Sequence, residues 1–240
     1  MIRMLEEYVA IDLEMTGLSS FHDKIIEIGA VKVRGGRVTD TYEALVNPNM
    51  NIPDKIIAIT GISGDMVQDE PYIGDILQDF LHFLGDNILI GHNLKFDFSF
   101  LVQAAYEGGE EWFRQQHYGI DTLKIARKYM EAEVSKKLED LCNYYHIEDE
   151  HHHRALNDAK ITEKLYRSLC LAFETEQFQL KPELLVYKPK KERPPSKKEI
   201  QRVERIIEER NPDRREDIYR MSQSELSRYA DFLLSQRKSL

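Results

Sequence analysis

From Tyr8 to Thr16 the chain alternates: Val9, Ile11, Leu13 and Met15 interleave with Ala10, Asp12, Glu14 and Thr16. A period of two puts successive side chains on opposite faces of a strand, so one face is apolar and the other carries two acids roughly 7 Å apart. Acids at i and i+2 also occur on idle, solvated edge strands, and the pattern alone leaves both readings open. The apolar character of the segment and the Gly17 that follows favour a central strand ending in a turn. Ile25–Val33 reads as a second, mostly buried strand, and Gly35-Gly36 as a hairpin turn into a third at about 38–46.

Asn47-Pro48 closes this antiparallel meander, and a polar stretch containing Pro53 and Gly61 leads through Ile56–Ile62 to a helix from about Tyr72 to Leu84. Asn87–Gly91 is a short apolar strand after a helix, which predicts a crossover and parallel pairing with the first strand. His92-Asn93-Leu94-Lys95-Phe96-Asp97 then runs into a helix reaching about Tyr106. Further helices are predicted at 121–130 and 137–145, with a short strand near 118–120. A long helix opens at His153–Ala159 and reaches about Phe173, with Ala155, Ala159, Thr162, Leu165 or Tyr166, and Leu169 facing inward.

Ligands in α/β sheets sit beyond the carboxyl ends of the strands. Asp97 falls there, although the helix dipole alone also favours an acid in a first turn. Asp158 lies on or beside a buried helix face, where a carboxylate is costly unless it is paired or binds a cation. His153 precedes it by five residues, about 140° of helical rotation, so the two converge only if His153 sits in the loop before the helix. Three consecutive histidines cannot all reach one ion from a regular backbone, and His151 and His152 read as solvated loop residues.

The chain has 240 residues, 42% hydrophobic and 31% charged, enough for one main domain and an extra piece. Cys142 and Cys170 form no disulfide framework and read as reduced core residues. No signal-peptide core is present and no stretch approaches about 18 consecutive apolar residues, so a cytoplasmic protein without membrane contact is expected. The net charge of −9 is uneven. Residues 181–240 hold 16 Lys+Arg against 11 Asp+Glu, a balance of +5 that leaves −14 for residues 1–180. So acidic a body repels nucleic acid unless metal ions or a basic extension help.

If Asp12, Glu14, Asp97 and Asp158 gather at the strand ends, each pair of unit charges 4 Å apart costs about 4 kcal/mol at an effective dielectric near 20. Oxygen-only donors under such repulsion point to Mg2+ or Mn2+ and away from zinc. Two ions about 3.5 to 4 Å apart can clamp a phosphodiester and activate a water. A histidine beside them can take that water's proton near neutral pH.

Three motifs in order carry a resemblance to a known family: Asp12-Leu13-Glu14-Met15-Thr16-Gly17-Leu18, His92–Asp97 and His153–Ala159, with Ile59-Thr60-Gly61-Ile62 between the first two. Residues 7–173 resemble the DEDDh 3′–5′ exonucleases, the superfamily that includes polymerase proofreading subunits. The resemblance implies a ribonuclease H-like, three-layer α/β fold with a mixed central sheet, three antiparallel strands followed by parallel ones. It implies metal-dependent removal of 5′-mononucleotides from a 3′ end. Asp12 would bridge two metals, Glu14 and Asp158 would ligate them, Asp97 would act directly or through water, and His153 would be the general base. Met15, Thr16 and Leu18 would pack on the terminal nucleotide, with Asn93 and Phe96 on its other side; many relatives have Thr in place of Met15.

Residues 181–196 hold half of the chain's eight prolines and several lysines, and read as a linker between an exonuclease domain at 1–180 and a module at 197–240. Two capping boxes, Ser196/Glu199 and Ser222/Glu225, open amphipathic helices with Ile200, Val203, Ile206, Ile207 and then Leu226, Tyr229, Ala230, Leu233 inward. This small helical extension resembles DNA-binding modules of the SAP type. The whole reads as an exonuclease on single-stranded or frayed DNA 3′ ends, with a DNA polymerase or repair complex as candidate partner. An RNA-trimming exoribonuclease and a non-catalytic nucleic-acid-binding scaffold are the alternatives.

Overall fold

A computed structural model describes residues 4–148, 153–173, 181–210 and 217–235. The chain divides into two compact units, Met1–Leu18 with Asp23–Lys188, and Ser19–His22 with Pro189–Leu240.

The first unit is built on a six-stranded sheet. Strands β1 (Tyr8–Met15), β2 (Ile25–Arg34) and β3 (Arg37–Leu45) form the antiparallel meander. Strand β4 (Leu89–Gly91) pairs parallel with β1, and β5 (His117–Asp121) parallel with β4. Strand β6 (Glu183–Leu185) closes the order β3-β2-β1-β4-β5-β6 by pairing antiparallel with β5. It lies within the proline- and lysine-rich stretch that reads as linker. Leu185 is buried there, and the pairing with β5 gives the short segment its ladder partners.

Alternation along β1 separates two cores. Val9, Ile11, Leu13 and Met15 face a cluster with Leu77, Phe80 and Leu84 of α3 (Ile73–Leu84) and Phe98 and Leu101 of α4 (Leu94–Glu107). Tyr8 and Ala10 face the other cluster, with Ile125 of a helix at Thr122–Tyr129, Leu141 of a helix at Leu138–Tyr145, and Ala159, Leu165, Tyr166 and Leu169 of a helix at Ala155–Ala172. We label these three α5, α6 and α7. Helices thus cover both faces of a mixed sheet, the three-layer architecture expected. The acids of β1 lie on the α7 face. The connection through Ile56–Ile62, to which the pattern assigns no element, holds a short helix: Asp54–Thr60 is α1, opened by Pro53 and ended by Gly61 at φ 70°, and Ile62 packs with Ile26, Ile52 and Val67 of the four-residue α2 (Gly64–Val67).

In the second unit, α8 (Lys197–Arg210) and α9 (Gln223–Ser235) bury Val203, Ile206, Leu226, Tyr229, Ala230 and Leu233 around Ile218. Both capping boxes form: Ser196 N donates to Glu199 and Glu199 N to Ser196 Oγ, and the same pair of bonds links Ser222 with Glu225. Among the described residues no helix is long and apolar enough to cross a membrane.

One close approach sets the position of α7. A Cβ at Gly29 would lie 2.0 Å from the Ala155 carbonyl carbon and 2.1 Å from Leu156 N, both backbone atoms that cannot rotate away. Gly29→Ala should therefore push α7 off the sheet and cost on the order of 3 kcal/mol, read as a lower urea midpoint at unchanged slope. A midpoint equal to that of the wild type would contradict this packing.

Candidate active site

Asp12 and Glu14 occupy the last turn of the pleat in β1, opposite Gly29 and Glu27 of β2. Gly29 offers no side chain, which lets the start of α7 descend onto the sheet beside Asp12. Glu27 lies across from Glu14, a like-charge pair that destabilises a sheet unless something intervenes. Arg154 intervenes. Its Nε and Nη2 donate to Glu27 Oε1 at 2.8 and 2.6 Å, and Ala155 N donates to Glu27 Oε2 at 2.9 Å. Glu27 is fully buried, and its carboxylate fastens the first residues of α7 to the sheet.

That attachment places Asp158 in the first turn of α7, 7% exposed. His153 adopts φ 61°, outside the helix, and its backbone N–H donates to Asp158 Oδ2 at 3.2 Å. The left-handed residue turns the chain so that His153 and Asp158 converge, the one route the helical period left open. Ligand atoms of Glu14, His153 and Asp158 all lie within 4.8 Å of one another, a spacing that can hold a metal ion. His151 and His152 lie outside the described residues.

Asp97 arrives from the opposite layer. Beyond Gly91 strand β4 has ended, and the Leu13 N–H, with no strand partner on that side, donates to Asp97 Oδ1 at 3.1 Å. Asp97 is 5% exposed in the first turn of α4. Two helices on opposite faces of the sheet thus each contribute one acid to the end of β1.

The electrostatics of Asp12, Glu14 and Asp97 follow from this crowding. Burial, then Asp97, Asp158 and Glu14, hold the Asp12 carboxyl well above its ordinary range. Burial and the neighbouring Asp158 and Glu27 push Glu14 up to about 8. Burial raises Asp97 to about 7 against the opposing pull of the Leu13 N–H. Cations that neutralise the cluster are the natural complement of such a site.

Of the residues expected at the terminal nucleotide, Leu18 is 85% exposed, whereas Met15 and Thr16 are buried at 7% and 1%. Thr16 Oγ1 accepts from Lys24 N at 2.9 Å and so holds the turn after β1. Asn93 is exposed at φ 70° immediately before α4, and Phe96 is half-buried with its ring edge-on to Phe100 at 5.3 Å. Asp121 holds this loop: its Oδ1 accepts from Asn93 N and from Leu123 N, both at 3.0 Å. Sequence reasoning missed Glu27, Arg154 and Asp121. Glu27 alone had a signal, an acid inside the otherwise apolar run Ile25–Val33.

Residues 9–166 match the family model described as Exonuclease. The chain is 43% identical over 162 residues to the PolC-type DNA polymerase III of Bacillus subtilis, covering 67% of this chain and 11% of that protein. It is 35% identical over 159 residues to DNA polymerase III subunit epsilon of Aquifex aeolicus, covering 66% of this chain and 78% of that subunit. The chain therefore spans about a ninth of the length of the PolC-type relatives it matches. Among solved structures, Exonuclease X in complex with 5′ overhanging duplex DNA superposes with a TM-score of 0.57 at 28% identity, over 70% of this chain and 93% of that one. Exonuclease I superposes with a TM-score of 0.61 at 16% identity, over 70% and 41%, and shares the fold.

The raised carboxyls make the metal-free protein sensitive to pH in a defined direction. Their folded values lie above the ordinary carboxylate values near 4, so the folded state holds extra protons, and the stability this gives at low pH is lost as pH rises toward about 8. Asp12→Asn removes one of the charges. In EDTA its Tm should match the wild type near pH 5 and exceed it by several degrees at pH 8, while added Mg2+ or Mn2+ stabilises the wild type more at pH 8 than at pH 5. Parallel Tm–pH curves for the two proteins would refute the electrostatic account.

Proposed function

The chain belongs to the exonuclease family, and from that premise we propose that it hydrolyses phosphodiesters at the 3′ ends of single-stranded or frayed DNA and releases 5′-mononucleotides. The observation that carries this reading is the gathering of Glu14, His153 and Asp158, from β1 and the start of α7, beside the half-buried Asp12 and the buried Asp97.

The donor set favours Mg2+ or Mn2+. Asp12, Glu14, Asp97 and Asp158 offer only carboxylate oxygens, which suit hard cations, and two ions fit a cluster of four acids better than one. When bound, such ions supply charge neutralisation, a more acidic attacking water and stabilisation of the leaving oxygen. The chain's own groups do the rest. His153, exposed in the loop before α7, accepts the proton of the attacking water as general base. Leu18, Asn93 and Phe96 receive the terminal nucleotide by apolar and stacking contact, which tolerates any base. Met15 and Thr16 lie beneath, shaping the turn from which Leu18 projects.

DNA is favoured over RNA because the relatives at 35% and 43% identity are named as DNA polymerase III proteins and Exonuclease X was solved with DNA. The same relatives support a replicative DNA polymerase as partner, with proofreading or repair as the setting. The residues from 181 onward, with their balance of +5, contribute affinity for the polyanion.

The test offers 5′-labelled single-stranded DNA, duplex DNA and RNA to the pure protein with Mg2+, Mn2+ or EDTA. A ladder shortening from the 3′ end of DNA, lost in EDTA and in Asp158→Ala, is expected. His153→Ala should lower kcat by about 10²- to 10⁴-fold with little change in KM. Absence of metal-dependent cleavage of every substrate would sink the enzyme reading, and a ladder on RNA alone would transfer it to an exoribonuclease.

A further inference from the structure

A cleft of about 100 Å³ opens at the carboxyl end of β5, two strands away from β1. Four lysines line it: Lys95 from the first turn of α4, Lys124 and Lys128 from α5, and Lys181 just before β6. The acids at its wall are Asp121 and Glu183, and each is already engaged. Asp121 Oδ1 accepts two backbone N–H groups, and Glu183 pairs with Lys124 Nζ at 2.5 Å. The positive fields of Lys95 and Lys128 also reach Glu183, whose carboxyl is held below its ordinary value, first by the Lys124 hydrogen bond. The lining thus carries four cations against two anions, and the three lysines and one acid of it that fall within residues 1–180 belong to a stretch with a net charge of −14.

The cleft shares structural elements with the acidic site. Lys95 and Asp97 stand two residues apart in α4, about 200° around the helix, so one turn presents its acid to β1 and its lysine to the cleft. The sheet register pairs Gly91 of β4 with Asp121 of β5, and β4 itself lies beside β1. Two strand spacings separate β1 from β5, about 10 Å. A nucleic-acid backbone seated on the acids therefore has a further phosphate within reach of the lysines.

We propose that this lysine-lined cleft is a second anchoring site for the nucleic-acid substrate, which binds a backbone phosphodiester remote from the scissile bond. The inference rests on the exonuclease reading for the identity of its ligand and on the cleft alone for its affinity. It gives the acidic body a local attraction for a polyanion that does not depend on metal.

The experiment is equilibrium binding by fluorescence anisotropy in EDTA, where nothing is cleaved, using 5′-labelled oligonucleotides of about ten nucleotides, single-stranded and as a duplex with a frayed 3′ end. Lys95→Gln and Lys128→Gln, singly and together, should raise Kd several-fold at low salt. Each should reduce the slope of log Kd against log [salt] by about 0.7 on the single strand. Arg114→Gln, before the amino end of β5 and paired with Glu111, serves as the control that removes one exposed charge outside the cleft. A loss confined to the single strand assigns the phosphate to the strand being trimmed, and a larger loss on the duplex assigns it to the complementary strand. Unchanged Kd and slope, an equal loss in Arg114→Gln, or no detectable binding by the wild type overturns the proposal. Cleavage of the same oligonucleotides with Mg2+ by the wild type is scored separately, so a failure of the exonuclease reading is not confused with a failure of the cleft.

Discussion

Repulsion among carboxylates is the constraint on which the rest of this structure depends. Asp12, Glu14, Asp97 and Asp158 are held together in a low-dielectric setting where at least three of them resist ionisation. Nothing in their own chemistry favours the arrangement, so the scaffold must supply the restoring force. It does so from two directions. On one face, the Leu13 N–H left over where β4 ends binds Asp97 and fixes α4. On the other, Glu27 holds Arg154 and the Ala155 N–H and fixes α7.

The Glu27–Arg154 pair illustrates how a charge can be placed to organise other charges. A buried carboxylate with no partner would cost several kcal/mol, and here it meets two guanidinium donors and a helix-terminal N–H. Removing only one partner is the damaging change, since it would strand Glu27 beside Glu14 with no compensating cation. Gly29 is the steric half of the same device. Its missing side chain lets the α7 backbone come close enough for Glu27 to reach it.

Much of the fold could be read from periodicity, because long-range order here follows local pattern. The alternation in β1 correctly anticipated two faces, and the apolar stripe of α7 turned inward as its spacing implied. The left-handed geometry at His153 resolved an angular conflict that the sequence exposed but could not itself decide. What stayed hidden were interactions between residues far apart in the chain. Glu27 and Arg154 are 127 residues apart, and no local signal joins them. Strand β6 was masked by the prolines and lysines around it, because only the open edge of β5 gives that segment a reason to be a strand. Met15 and Thr16 looked available on motif grounds, yet the turn they begin is stabilised by burying them.

The proposed function requires an acidic protein to approach a polyanion, and the layout offers a way. The acids gather around the end of β1 and the lysines around the end of β5, and α4 presents one kind of charge to each side. Interspersing the lysines among the carboxylates would have neutralised them directly and lowered their demand for cations. On the proposed reading, separation by two strands leaves the acids their demand for cations while keeping an attractive surface within a nucleotide or two of the bond to be cut. Because α4 carries both Asp97 and Lys95, a shift of that helix would disturb the proposed metal site and the proposed anchoring site together. The packing of α4, with Phe98 and Leu101 in the core that β1 shares, thus serves the proposed chemistry as well as the fold.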